Sequence, residues 1–142
     1  MTYPSPVSGL VVRYNYLWDR EKRDGSSLGS KDRPCAIIVY HSRTNDTIVV
    51  PITHSPPEPG EEDLSIEVPA ELCGQLGLDD EANWIRVSEV NRFEWPGIHL
   101  RALPSDPHRY HYGMVPPELF ELIKAKLHET MKAGRVALAR RE

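Results

Sequence analysis

Gly9-Leu-Val-Val12, Lys31-Asp-Arg-Pro-Cys-Ala-Ile-Ile-Val39 and Ile48-Val-Val-Pro-Ile-Thr-His54 are the stretches whose reading decides the fold of this chain. Each is a β-branched run that carries a polar or proline residue where a plain buried strand has none. Outward from the first block, residues 9–18 read as one strand. Leu10, Val12, Tyr14, Tyr16 and Trp18 share a face by the two-residue period. Residues 19–33 are charged and rich in Gly and Ser, so they read as a loop. At that length the loop is a functional or mobile segment rather than a mere connector.

The second and third blocks predict strands over 34–41 and 47–53, split by a turn at 43–46. Ser55-Pro-Pro-Glu-Pro-Gly60 then forces a loop. Short strands follow at 63–68, 84–90 and 110–114, with one or two helical turns at 69–77 and a turn at 95–97. Pro116-Pro-Glu-Leu-Phe120 opens a helix that runs to about Ala133, with Gly134 as its stop. Phe120, Ile123, Leu127 and Met131 make an apolar stripe on that helix. Its acidic residues sit early and its lysines late, which suits the helix dipole. Short strands plus one terminal helix predict a mainly β protein with a C-terminal α-helix: a small barrel of five to seven strands, the helix packed on it by Phe120, Ile123 and Leu127.

The 142 residues amount to one domain, 1–142, long enough to bury a core without a disulfide or metal staple. The core is expected at about 9–133, with 134–142 as a flexible, solvated tail. A 27% charged and 39% apolar composition is ordinary globular usage and argues against general disorder. Cys35 and Cys73 are far apart, which excludes a Cys-rich zinc module and favours a reducing compartment. No apolar stretch reaches the ~20 residues of a membrane span, and the first residues carry no secretory pattern. The expected localisation is cytoplasmic, with no membrane partner. The net charge of −4 is not the basic balance of a typical nucleic-acid binder. The charge is uneven, however: Arg20, Lys22, Arg23, Lys31 and Arg33 crowd one segment, which leaves room for a local basic surface.

The order and spacing of Gly9, Arg33-Pro34, Val49-Val-Pro-Ile-Thr53, Arg86-Val-Ser-Glu89 and Gly113 resemble the MazF/PemK (plasmid maintenance, growth inhibitor) toxin family over roughly residues 9–131. The resemblance implies an SH3-like barrel. It also implies a type II toxin–antitoxin ribonuclease that cuts single-stranded RNA by attack of the ribose 2′-hydroxyl on the neighbouring phosphate, with no metal and no cofactor. The partners it implies are single-stranded RNA, a small acidic antitoxin protein whose peptide occupies the RNA groove, and a second copy of the chain in a homodimer.

Such a reaction needs a base, an acid, and cations or amides on the phosphate. Arg86 matches the family arginine and is a candidate to steady the phosphate by a bidentate fork. Ser88 stands where an Asp is common, and strand alternation turns the next residue, Glu89, away from the Arg86 side. The family's first-loop Glu is replaced by Leu28 in an ungapped count, or by Glu21 if a gap is allowed. His54 follows Thr53 at the strand end; it is a candidate general base or acid, or a surface histidine. Thr53 donates to substrate or caps the following turn. Arg33 binds phosphate or pairs with Asp32 or Asp19.

Arg86, His54, Thr53 and Glu21 are thus the catalytic candidates, and Arg33, Lys31, Arg23 and Ser88 the nucleic-acid-binding ones. Arg33, Thr53, His54 and Arg86 are expected to converge at one end of the barrel under the 19–33 loop. Tyr14, Tyr16 and Trp18 read as barrel core or as a base-stacking row. His108 and His111 point to opposite strand faces, which argues against joint metal binding. A reading from another class remains beside the enzyme: a barrel of the same descent, without catalysis, that binds nucleic acid or a protein segment.

Overall fold

The computed structural model describes residues 3–142. Leu10–Tyr14 (β1), Arg33–His41 (β2) and Asp46–Thr53 (β3) form an antiparallel meander, with Val11 opposite Ala36 and Cys35 opposite Pro51. Alternation along these strands sorts their side chains onto two faces. Val11, Ala36, Ile38, Val50 and Ile52 enter one core, while Leu10, Val12, Tyr14, Cys35, Ile37 and Val49 enter the other. Tyr16 and Trp18 join the second core although β1 has ended, so the five-residue face read from the sequence holds as a packed row.

The expected single strand at 84–90 is two strands, Trp84–Arg86 (β5) and Glu89–Glu94 (β6). Both pair with β3, β5 through Ile52 opposite Ile85 and β6 through Val49 opposite Asn91. Three steps along β3 therefore face six along β5 and β6, a bulge centred on Val87 and Ser88. Pro51, which has no N–H to donate, lies in the gap between the two pairings. Ser65–Glu67 (β4) pairs with β5, and His111–Met114 (β7) pairs with β1. The sheet runs β4-β5-β3-β2-β1-β7, with β6 branching from β3.

Pro117–Lys132 is the long helix and packs on the first core through Leu119, Ile123 and Leu127. The stripe is turned by about one position from the sequence reading. Leu119 and Thr130 are buried, Phe120 is only partly buried, and Met131 is 59% exposed. Thr130 tolerates burial because its hydroxyl donates to the Lys126 carbonyl at 2.6 Å.

The expected flexible tail at 134–142 is also corrected. Ala137–Arg140 forms β8, parallel to β6, and this brings the sheet to eight strands rather than five to seven. The molecule is mainly antiparallel β with a C-terminal helix, a small barrel-like domain. Among the described residues no helix is long and apolar enough to cross a membrane. Cys35 and Cys73 are buried free thiols.

Candidate functional site

The loop between β1 and β2 is built to hold one shape. Its first turn is the short helix Asp19–Arg23. The Glu21 carboxylate accepts the Trp18 N–H at one end of the loop and the Ser30 N–H at the other, both at 3.0 Å. Burial alone would raise the Glu21 pKa, but these hydrogen bonds outweigh it and hold the group below its ordinary value. Asn15 accepts the Gly29 N–H at 2.8 Å and donates back to the Gly29 carbonyl at 3.1 Å. A Cβ at Gly29 would lie 2.0 Å from the Tyr16 carbonyl oxygen, so only glycine allows this approach.

Under the loop lies a cleft of about 180 Å³ lined by Trp18, Arg20, Ser30, Lys31, Arg33, Thr53, His54, Ser55 and Arg86. The structure thus brings Arg33, Thr53, His54 and Arg86 together, with Lys31 beside them. Glu21 is engaged by the loop amides and does not line the cleft. Arg23 pairs with Asp19 at 3.1 Å on the exposed side of the short helix. Ser88 sits in the bulge, where its carbonyl accepts the Ala137 N–H at 3.0 Å. No Asp or Glu lines the cleft.

Trp18 is the centre of the arrangement. The guanidinium carbons of Arg33, Arg20 and Arg86 lie 4.9, 5.2 and 6.0 Å from its ring. Among the described residues none of these three arginines forms an ion pair: Asp19 goes to Arg23, and Asp32 goes to Arg101 and Asn15. Arg33 is 7% exposed and its Nε has no partner; the buried Trp18 Nε1 has none either. Burial lowers the Arg33 pKa from its very high ordinary value, and the group stays a cation at neutral pH. Arg86 is aimed from behind, its Nε donating to Ser65 Oγ at 2.9 Å across the β4–β5 pair, which leaves the terminal nitrogens for a ligand. Thr53 Oγ1 accepts the Ser55 N–H at 3.1 Å and keeps its own hydrogen to donate.

Glu89 was expected to face away from this side, and the bulge overturns that. Three extra residues break the alternation, so its carboxylate reaches back to accept the Tyr16 hydroxyl at 3.2 Å and the Asp19 N–H at 2.9 Å. Burial raises its pKa in spite of these donors and the nearby Arg86 charge. No periodicity in the sequence announces this turn. Arg20, by contrast, was visible as part of the basic segment that lies against the last aromatic of the row.

A larger cleft of about 480 Å³ adjoins the first and shares Lys31, Arg33, Thr53 and His54 with it. Its other side includes Ile52, Leu78, Leu103, Pro104 and Tyr112. At its rim His54 Nε2 lies 2.7 Å from Asp79 and 3.9 Å from Glu81. The three side chains offer ligand atoms within 4.8 Å of one another, all exposed. With Nε2 already 2.7 Å from Asp79, we read them as a hydrogen-bonded His–Asp pair rather than a metal centre.

The chain has a fold neighbour of known structure. Among solved structures it is similar to an endoribonuclease from Mycobacterial species, at 14% sequence identity and a TM-score of 0.53, over 93% of this chain and 96% of the other. That likeness establishes a shared fold. No family model and no curated protein matches the sequence.

Proposed function

We propose that the protein is a metal-independent endoribonuclease of the MazF/PemK toxin type that cleaves single-stranded RNA. The observation that carries the reading is the trio Arg20, Arg33 and Arg86 around Trp18, three guanidiniums without a carboxylate partner in a cleft that contains no acid. A desolvated cation left open is suited to an anion, and a bidentate fork suits a phosphodiester. The fold neighbour is named an endoribonuclease, which supports the same chemistry.

In this reading Arg33 and Arg86 bind the scissile phosphate, Thr53 donates to it, and Lys31 and Arg20 hold the flanking backbone. His54 is the cleft residue suited to take the 2′-hydroxyl proton. Glu21 acts at one remove, by fixing the loop that carries Arg20 and Lys31. The family resemblance extends the proposal to a homodimer held silent in the cytoplasm by a small acidic antitoxin, whose carboxylates would meet the same cations.

The absence of an acidic residue from the cleft favours one second reading, a barrel that binds RNA without cutting it. A cleavage assay in EDTA on a mixed-sequence RNA pool separates the two. Wild type is expected to release fragments ending in a cyclic phosphate. Arg86→Ala should lose on the order of 10²–10³ in rate, the usual loss for one group that stabilises a transition-state anion. Salt-dependent binding with no cleavage by wild type would select the binding module instead.

A further inference from the structure

His54 leaves the end of β3 with its ring 46% exposed, and no group of its own strand holds it. What holds it comes from the 77–83 loop. Nε2 lies 2.7 Å from Asp79 Oδ2. Asp79 is itself fixed, since its Oδ1 accepts the Glu81 N–H at 3.2 Å and Asn83 Nδ2 at 3.3 Å. Asn83 is 3% exposed and anchored in turn, with Nδ2 2.9 Å from the Glu81 carbonyl and its backbone carbonyl accepting the Val68 N–H at 2.8 Å. A continuous line of contacts thus runs from the core through Asn83 and Asp79 to the imidazole. An exposed His–Asp pair contributes little to stability, so stability alone does not account for a pair tethered to a buried asparagine.

We infer that Asp79 is a positioning residue for His54: it keeps the imidazole proton on Nε2 and leaves the Nδ1 lone pair, which has no partner among the described residues, to face substrate. This rests on the ribonuclease reading above. In the step it serves, the 2′-oxygen gives its proton to Nδ1 and its lone pair forms the bond to phosphorus. The bond from phosphorus to the 5′-oxygen breaks, the electron pair leaves with that oxygen, and water supplies its proton. The imidazolium, stabilised by the Asp79 carboxylate, returns its proton to the hydroxide so formed. An aspartate on the far nitrogen fixes both tautomer and ring direction, which a catalytic imidazole needs.

The test uses the full chain with ¹⁵N-labelled histidine. Long-range ¹H–¹⁵N spectra above the titration range read the tautomer of each ring, and the other five histidines serve as internal controls. Wild type is expected to show His54 protonated at Nε2. Asp79→Asn should mix the two tautomers, and Asp79→Glu should restore the wild-type pattern. In cleavage, Asp79→Asn should lower kcat on the order of 10–10²-fold, part of the 10²–10⁴ that a positioned base supplies, with KM within about twofold. In a His54→Ala background the same change should have no further effect. An unchanged tautomer in Asp79→Asn, or an equal rate loss without the imidazole, overturns the inference. If wild type does not cleave RNA, the ribonuclease reading has failed, and the tautomer spectra still decide whether Asp79 sets the ring.

Discussion

Two of the arginines that lie over aromatic rings, Arg141 and Arg33, differ in how the fold engages their guanidiniums. Arg141, on the strand-bearing C-terminus, lies 5.5 Å from the Tyr14 ring, and Arg33 lies 4.9 Å from Trp18. The Arg141 guanidinium is engaged through both of its terminal nitrogens. It donates to the Asn15 carbonyl at 2.6 Å, Asn91 Oδ1 at 3.1 Å, Ser27 carbonyl at 3.2 Å and Asn15 Oδ1 at 3.4 Å. It therefore ties the end of β1, the site loop and β6 into one clasp. Arg33 is more deeply buried than Arg141, yet its Nε has no acceptor. An unmet buried donor costs about 1–3 kcal/mol. A fold that satisfies one arginine so fully and leaves the other open has separated structural cement from a binding group.

The sharpest way to break this contrast is to delete each guanidinium in turn. Arg33→Ala should reduce RNA cleavage on the order of 10²–10³-fold while moving the urea midpoint little, because no strong bond is lost. Arg141→Ala should do the reverse. Loss of its short bonds should lower unfolding stability by about 3 kcal/mol, at 1.5–3 kcal/mol for a bond to a charged group. The protein that stays folded should cleave within a few-fold of wild type. Equal destabilisation by the two substitutions would erase the distinction.

What the sequence revealed and what it hid divide along the same line. The β1 face from Leu10 to Trp18 and the β2 and β3 runs follow from local periodicity, while the expectation that Arg33, Thr53, His54 and Arg86 converge comes from the family resemblance. Glu89 was misread because a bulge has no periodic signature until its partner strand is known. β8 was missed because Ala137–Arg140 is short and basic, and it becomes a strand only through parallel pairing with β6, nearly fifty residues away. The nearness of Asp79 to His54 depends on how the 77–83 loop folds back. Local patterns were legible; charge pairings made by tertiary contact were not.

Salt dependence gives a smaller and cleaner measure. For single-stranded nucleic acid each neutralised phosphate contributes about −0.7 to the slope of log K against log salt. With a 2′-deoxy oligonucleotide that cannot be cleaved, Arg86→Ala and Arg20→Ala should each make the slope shallower by about 0.7. Arg141→Ala, whose terminal nitrogens are already engaged within the fold, should leave it unchanged. Fluorescence anisotropy at several salt concentrations reads this directly, and a slope change at Arg141 would mean that the clasp is part of the RNA surface.

The smallest effect concerns pH and is centred on the clasp. His99 packs edge-on to Tyr14, and burial, then the charges of Arg141 and Arg101, hold its pKa below the ordinary 6.5. The native state thus favours the neutral ring, and the unfolded chain takes up a proton first as pH falls. The contribution of His99 is fully present above pH 6.5 and is lost as pH drops through the lower folded value. His111, lowered by burial and Arg109, adds the same sign. Urea melts between pH 7.5 and 5.5 should show a decline of less than about 1 kcal/mol for each ring. Removing Arg141 takes a cation from beside His99, so Arg141→Ala should be less stable throughout yet decline more gently with acid. Arg33→Ala, with its charge around Trp18 instead, should keep the wild-type slope. If Arg33→Ala flattened the profile and Arg141→Ala did not, the two arginines would be coupled to the opposite regions from those their contacts assign.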